Sequence, residues 1–206
     1  MGHKDTKFSL GTEEMSLLAN THFFEQKRMV LNLIVQWLGE LESTYMQIAG
    51  DHTLVVPKEA LQKRGKISRG ENYRGLPYLI LDHPAYFSKQ GIFAFRTLIW
   101  WGNPISITFH ISGEYLQKFK MKLVAGLPKQ NLTNLFICIN TNQFEHHFES
   151  NNYILLHDFI SKNGNLENLI NERGFLKILH KMPLTAIHEL QEQGPMFLKN
   201  ILTILR

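Results

Sequence analysis

The sequence predicts an α+β domain in which an antiparallel sheet of four to five strands packs against N-terminal and C-terminal helices. Three observations carry this prediction. Residues 92–101 are almost continuously apolar and aromatic, which is typical of a strand in the middle of a sheet. Residues 105–112 follow after only Gly102, Asn103 and Pro104, and these turn formers predict an antiparallel hairpin. Helical periodicity before and after the strands then favours segregated helices over alternating βαβ units.

A long helix is predicted ahead of the sheet. Apolar side chains at helical spacing indicate that it begins at Asn20 or Thr21, reaches about Ile48 and ends at Gly50. Residues 29–38 are apolar on more than one side of this helix. We therefore expect the helix to lie between the sheet and either the C-terminal helices or a second subunit, which would make the protein a homodimer.

Turn residues place a short helix, a loop and the remaining strands. Pro57 and Gly65 bracket the short helix, because proline suits the first helical turn and glycine the position after the last. Residues 65–75, with three glycines, are expected to form a loop. The remaining strands are predicted at residues 77–82, 135–140 and 153–156.

The part of the chain after the strands is predicted to be helical. Residues 113–126 fit a helix at their start, while their alternating second half is left unassigned. Asn165 can cap a helix that carries apolar side chains as far as Leu179. Pro183 and Pro195 each stand where a further helix would begin.

The composition is that of a globular protein, and we expect the protein to be cytoplasmic. The chain has 206 residues, of which 44% are hydrophobic and 19% charged, and neither a repeat nor a long linker divides it, so residues 1–206 are expected to form one domain. The single cysteine, Cys138, excludes an internal disulfide and fits a reducing compartment. Residues 1–10 lack the apolar core of a secretory signal, and no apolar run reaches the roughly 20 residues that span a bilayer. We therefore expect no membrane association.

Familiar catalytic motifs are missing from the sequence. The glycines of residues 65–75 are not followed by the Lys-Ser/Thr pair of a phosphate-binding loop, and no Gly-x-Ser-x-Gly elbow occurs. Cys138 lies in an apolar strand, which is typical of a buried structural thiol and not of a nucleophile. The catalytic residues, if any, stay undefined, and no cofactor is predicted.

Five side chains that could ligate a metal lie close together in the sequence. They are Glu145, His146, His147, Glu149 and His157. Their spacing matches no zinc signature such as His-Glu-x-x-His, and nothing in the sequence shows that they converge. A solvated polar stretch between two strands is the better interpretation, so no metal site is predicted.

Strand register gives the most specific prediction of a site. A loop of three residues, 102–104, would place Thr97 opposite Phe109 and Phe95 opposite Ile111 on an apolar face. The other face of the hairpin would collect polar side chains around one tryptophan. The candidate ligand-binding residues on that face are Arg96, His110, Trp100, Ser106 and Thr108.

This polar face has more than one interpretation. If the C-terminal helices cover it only in part, it is a pocket suited to the carboxylate or phosphate of a small anionic ligand. Alternatively, Arg96 pairs with an internal acid such as Asp82 or Glu71. A third interpretation is an enzyme that acts on an anionic substrate in a pocket around Arg96 and His110.

The formal net charge of +4 resides in residues 57–75, which contain six cations and two acids, whereas the rest of the chain has sixteen of each. Such a local positive field attracts phosphates and other anions, although a solvated surface is the simpler interpretation. A nucleic-acid-binding module through residues 58–74 is a further alternative, which the sequence does not favour because Tyr73 is the one aromatic residue available for base stacking there. The candidate anion-binding residues are Lys63, Arg64, Lys66, Arg69 and Arg74.

Three segments resemble an uncharacterised bacterial protein family. They are Arg-Gly-Glu-Asn-Tyr-Arg-Gly-Leu-Pro-Tyr at residues 69–78, Phe-Ala-Phe-Arg-Thr-Leu-Ile-Trp-Trp-Gly at residues 93–102 and Glu-His-His-Phe-Glu at residues 145–149. The resemblance covers most of the chain and implies a bacterial cytoplasmic protein. Because that family has no assigned activity, the resemblance implies no functional residue. We expect a small-molecule-binding or partner-binding domain.

Overall fold

The computed structural model describes residues 9–130 and 134–206, and these form seven α-helices and one seven-stranded antiparallel sheet. The prediction of an α+β fold is therefore confirmed. The chain divides into two compact units, residues 1–36 and residues 37–206. The predicted single domain over residues 1–206 stays a prediction.

The first unit is helical. Helix α1 (Thr12–Ala19) is followed by α2 (Thr21–Ala49), which begins and ends where the sequence predicts. The side chain of Asn20 caps α2 by accepting a hydrogen bond from the backbone N–H of Phe23 at 3.1 Å. Among the described residues 9–36, Ile34 is the one buried residue.

The second unit is built on the sheet, whose strand order is β1-β2-β3-β4-β7-β5-β6. The strands are β1 (Lys66–Tyr73), β2 (Leu76–Phe87), β3 (Ile92–Trp100), β4 (Ile105–Ser112), β5 (Leu135–Cys138), β6 (Tyr153–Leu155) and β7 (Phe175–Met182). The helices after α2 are α3 (Lys58–Leu61), α4 (Gly113–Gly126), α5 (Leu156–Ser161), α6 (Leu166–Arg173) and α7 (Leu190–Ile204), with 3-10 helices at Leu127–Lys129 and Leu184–Glu189. Strand β3 has neighbours on both sides, as its apolar sequence predicts.

The predicted number of strands is wrong, because two strands are missing from it. Residues 65–75 are not a loop but contain β1, an edge strand whose mostly polar and half-exposed residues give no apolar alternation. The helix predicted to reach Leu179 ends at Arg173, where Gly174 adopts the left-handed φ of 70°. The chain then continues as β7, which pairs with β4 and β5 and is buried on both faces.

Smaller corrections concern where elements end. Helix α4 extends over all of residues 113–126, including the half that the sequence leaves unassigned. The strand predicted at residues 77–82 continues to Phe87 after an irregularity in its pairing beyond Asp82. Pro183 precedes a 3-10 helix as predicted, but Pro195 lies inside α7.

One face of the sheet packs against helices. The ring of Phe95 on β3 lies 6.1 Å from that of Phe197 on α7, measured between ring centroids. From the last turns of α2, the Tyr45 hydroxyl lies 3.2 Å from Oγ1 of Thr97. Helices from before and after the strands therefore cover this face, which we call the helix-packed face.

In the described part of the chain, no helix combines the length and the apolar character that crossing a bilayer requires.

Candidate anion-binding site

The β3–β4 hairpin has a different register from the predicted one. Thr97 pairs with Ile107 and Phe95 with Phe109, so each predicted pair is wrong by two residues. Strand β3 ends one residue earlier than predicted, whereas β4 has its predicted bounds, so the connection contains four residues, 101–104.

A shift of two residues leaves every side chain on its predicted face, because strand side chains alternate with a period of two. Arg96 lies directly opposite Thr108, and His110 lies two residues further along the same face. Trp100 and Ser106 lie on this face too, toward the turn. The prediction that Arg96 and His110 share a face is therefore confirmed, and we call this side the polar face.

The polar face is covered by residues 139–152, the connection between β5 and β6, which we call the covering loop. Partial cover by the C-terminal helices is the condition for a pocket on this face, but it is this loop that contacts Arg96, His110 and Trp100. Phe148 of the loop packs against Trp100 with 6.4 Å between ring centroids. His147 is only 4% exposed. The interpretation of residues 145–149 as a solvated stretch is therefore wrong for His147, whereas Glu149 is exposed.

Lys177 on β7 is a fully buried cation beneath the covering loop. Its Nζ donates hydrogen bonds to the main-chain oxygens of Gln143 at 2.9 Å and Glu145 at 2.7 Å. It also lies 5.4 Å from the centre of the Tyr153 ring. Burial is the main reason why the pKa of Lys177 falls to about 8. Sequence reasoning missed this residue because it placed Lys177 in a helix, although lysines at 177 and 181 in an apolar run fit one face of a strand.

Two histidines, His110 and His146, also form hydrogen bonds beneath the covering loop. Nε2 of His110 lies 2.8 Å from Oε1 of Gln143, and burial, with the charge of Lys177, lowers the pKa of His110 to about 3. Nε2 of His146 accepts a hydrogen bond from Nη1 of Arg96 at 3.0 Å. Burial is the first cause that lowers the pKa of His146, followed by the positive charges of Lys177 and Arg96. Both imidazoles are therefore neutral near pH 7.

Arg96 is held in a two-pronged ion pair. Its Nε and Nη2 donate to the two carboxylate oxygens of Asp82 at 2.7 and 2.9 Å. The expectation that Arg96 pairs with an internal acid is confirmed for Asp82. The side chain of Arg96 is still 21% exposed.

Tyr73, at the end of β1, fixes the covering loop from another side. Its hydroxyl oxygen accepts hydrogen bonds from the backbone N–H groups of His146 at 2.8 Å and His147 at 3.2 Å. The same hydroxyl donates to Oε2 of Glu145 at 3.0 Å. One side chain thus satisfies two main-chain donors of a segment without regular secondary structure.

The structure does not bring the five candidate anion-binding residues to one site. Arg74 forms an ion pair with Glu149 of the covering loop. Arg69 alternates to the other side of β1 from the strand's first residue. The other three line one cleft. They are Lys63, Arg64 and Lys66.

This cleft has a volume of about 440 Å³. It lies between residues 59–66, which include the start of β1, and residues of β2 and β3. Arg96 also belongs to its lining, whereas His110, Trp100, Ser106 and Thr108 do not. None of Lys63, Arg64 and Lys66 forms a salt bridge with a residue that the structure describes. The ionised lining comprises Lys63, Arg64, Lys66 and Arg96 against Glu59 and Asp82, a net charge of +2. Tyr86, Phe87 and Phe144 add aromatic surface.

The five side chains that the sequence grouped as metal-capable have separate contacts. The imidazole of His147 lies 3.9 Å from the carboxylate of Glu145 and 3.5 Å from that of Glu149. His157 stands on α5 with its side chain 89% exposed. Within residues 9–130 and 134–206, no three His, Cys, Asp or Glu side chains are arranged to hold a metal ion.

Cys138 is buried on β5 beside the covering loop. Its Sγ lies 3.5 Å from Oδ1 of Asn152, and burial raises the pKa of the thiol above its usual range. A thiol of this kind contributes to packing and not to nucleophilic chemistry.

No protein-family model matches this chain. No curated protein and no solved structure shows significant similarity to it. The resemblance to an uncharacterised bacterial family therefore stays a prediction, and the function has to be inferred from the site.

Proposed function

We propose that this protein is a small-molecule-binding domain that takes an organic anion into the cleft. The observation that carries the proposal is the convergence of four cations on that cleft: Lys63, Arg64, Lys66 and Arg96. Three of them are exposed and lack a salt bridge to any described residue, so their N–H groups can donate to a phosphate or carboxylate. The net charge of +2 in the lining favours an anion over a neutral ligand.

Arg96 supplies the rigid part of this site. Asp82 and His146 hold its guanidinium in place, and its Cζ lies 5.7 Å from the centre of the Phe87 ring. The Asp82 carboxylate largely balances the charge of this fixed guanidinium, so the net positive charge that a ligand meets comes mainly from the flexible side chains of Lys63, Arg64 and Lys66.

Exposed aromatic rings in the cleft indicate that the ligand carries an apolar or aromatic group beside its anionic group. Phe87 is 46% exposed and Phe144 is 57% exposed, and both line the cleft. An apolar or aromatic group that covered them would gain roughly 25 cal/mol for each Å² removed from water. The ligand class that fits is an aromatic or apolar phosphate or carboxylate.

The two alternatives have less support. An enzyme built around Arg96 and His110 would need an accessible imidazole, but His110 is buried and bound to Gln143. A nucleic-acid-binding module would need one open basic face, but Arg69 and Arg74 are separated from the cations of the cleft.

Calorimetry with phenyl phosphate at low salt tests the proposal. We expect phenyl phosphate to bind at least about tenfold more tightly than inorganic phosphate, because its ring covers Phe87 and Phe144. The combined variant Lys63→Gln, Arg64→Gln and Lys66→Gln should weaken binding at least about tenfold. Arg69→Gln is the matched control, since it removes a cation of the same segment that does not line the cleft.

Three outcomes would contradict the proposal. One is no binding of phenyl phosphate at about millimolar concentration, and another is equal weakening by Arg69→Gln. The third is tighter binding of a DNA duplex than of phenyl phosphate, which would favour the nucleic-acid alternative.

A further inference from the structure

The first unit carries much exposed apolar surface. Ten large apolar side chains among residues 9–36 are between 38% and 70% exposed. They include Leu17 and Leu18 on α1 and Phe24, Met29 and Leu33 on α2. Monomeric proteins rarely leave contiguous apolar patches of more than a few hundred Å² in contact with water.

We infer that residues 9–36 are a self-association surface whose partner is a second copy of this chain. A large apolar side chain offers on the order of 150 Å², and about half of each of these ten is exposed, which gives on the order of 800 Å². One partner of a standard stable interface contributes about 800 Å². The exposed area therefore matches what a dimer needs.

The distribution of these side chains fits a bundle of four helices. Leu10 precedes α1, and the other nine occur on α1 and on the first half of α2, where they lie on more than one side of the helix. Two helices from each of two copies can enclose apolar side chains on several sides of each helix, which a single flat contact cannot. A two-fold arrangement uses the same patch on both copies.

The charged residues of this segment are compatible with an interface between two copies of the chain. Residues 9–36 contain three acids, Glu13, Glu14 and Glu25, and two bases, Lys27 and Arg28, so this segment carries a net charge of −1. Opposite charges of two copies can therefore face each other across the interface. A helix that binds anionic lipid surfaces would instead be rich in lysine and arginine on its polar face.

Sedimentation of the full-length chain from about 1 to about 100 µM tests this inference. The wild-type protein should sediment at about 48 kDa, twice the 24.0 kDa of one chain. The variant Met29→Gln with Leu33→Gln should raise the dissociation constant at least about tenfold. Its fold should persist, because both side chains are already exposed. Should that pair fail to fold, Leu17→Gln with Leu18→Gln applies the same test from α1.

Met121→Gln is the matched control, because Met121 on α4 is 69% exposed but belongs to the second unit. It should leave the dissociation constant unchanged. A wild-type monomer at about 100 µM would overturn the inference. An undiminished dimer in the Met29/Leu33 variant would overturn it too, as would binding of a monomer to anionic lipid vesicles.

Discussion

The two faces of the central sheet are buried by different means. On the helix-packed face, Phe95, Ile107 and Phe109 are fully buried, and the contacts are mainly between apolar side chains and rings, with one hydrogen bond between Tyr45 and Thr97. On the polar face, the buried side chains include His110 and Lys177, and hydrogen bonds hold the covering loop.

This difference explains why one face carries helices and the other an irregular loop. An apolar face requires only area and shape, and an amphipathic helix supplies both. A polar face requires a partner for every buried donor and acceptor. The middle of a helix offers few, because its own N–H and C=O groups bond to each other. A loop keeps its main-chain groups available, as Lys177 and Tyr73 show by binding the carbonyls and amides of residues 143–147.

The largest expected effect belongs to the helix-packed face. Phe109→Ala should lower the free energy of unfolding by about 3 to 5 kcal/mol, because it leaves a cavity in a fully packed core. Urea unfolding followed by fluorescence measures this change. Phe144→Ala on the exposed side of the covering loop is the control and should cost less than about 0.5 kcal/mol. If Phe109→Ala lowered the free energy of unfolding by less than about 1 kcal/mol, packing on the helix-packed face would not be the larger contribution to stability.

Lowering the pH should destabilise the folded protein, because it favours protonation of histidines that are buried on the polar face. The pKa of His110 is about 3 in the folded protein, with Lys177, Arg96 and Gln143 around it, whereas an unfolded histidine titrates near 6.5. Between these values the unfolded chain binds more protons. Stability should therefore fall as the pH falls below 6.5, by up to about 1.4 kcal/mol per pH unit for this histidine. His146 adds to the effect in the same direction.

Urea unfolding at about pH 6.5 and about pH 4.5 measures this loss, which should be about 2 to 3 kcal/mol for His110. The variant His110→Gln should lose correspondingly less stability over the same range, because it has no proton to gain. The attribution fails if the variant and the wild-type protein show the same pH dependence.

Lys177→Met should separate the covering loop from the sheet. The variant leaves the main-chain oxygens of Gln143 and Glu145 without their donor, which costs about 1 to 3 kcal/mol, partly offset because no charge is buried. Hydrogen exchange should rise in residues 139–152 and not in β3. Lys122→Met is the matched control, since Lys122 on α4 also donates to two main-chain oxygens, those of Leu205 and Arg206, which lie outside the covering loop. Unchanged exchange in the covering loop would contradict this role of Lys177.

The smallest effect is expected from Tyr73→Phe. Loss of the hydroxyl removes the acceptor for the backbone N–H groups of His146 and His147, which should cost about 1 to 2 kcal/mol. Thermal unfolding can measure this difference against Tyr78→Phe, a neighbouring tyrosine of β2 whose hydroxyl makes no such bond to the covering loop. Equal melting temperatures for the two variants would show that the hydroxyl of Tyr73 does not stabilise the loop.

The sequence by itself determined the features that depend on neighbours along the chain. The start of α2 follows from the cap at Asn20, and the hairpin of β3 and β4 follows from two apolar strands around a turn. The shared face of Arg96 and His110 follows from strand alternation, which survives an error of two residues in register.

The tertiary structure alone decided the features that depend on distant partners. Strand β7 is buried on both faces because it enters the sheet between β4 and β5, where α7 packs on one face and the covering loop on the other, so its own residues show no simple alternation. The covering loop is polar in sequence yet partly buried, because Lys177, Arg96 and Tyr73 beneath it form hydrogen bonds with several of its polar groups. The cleft joins Lys63 to Arg96 across 33 positions of the chain. Local patterns record which residues avoid water, but not which distant residue will supply a hydrogen bond or a charge.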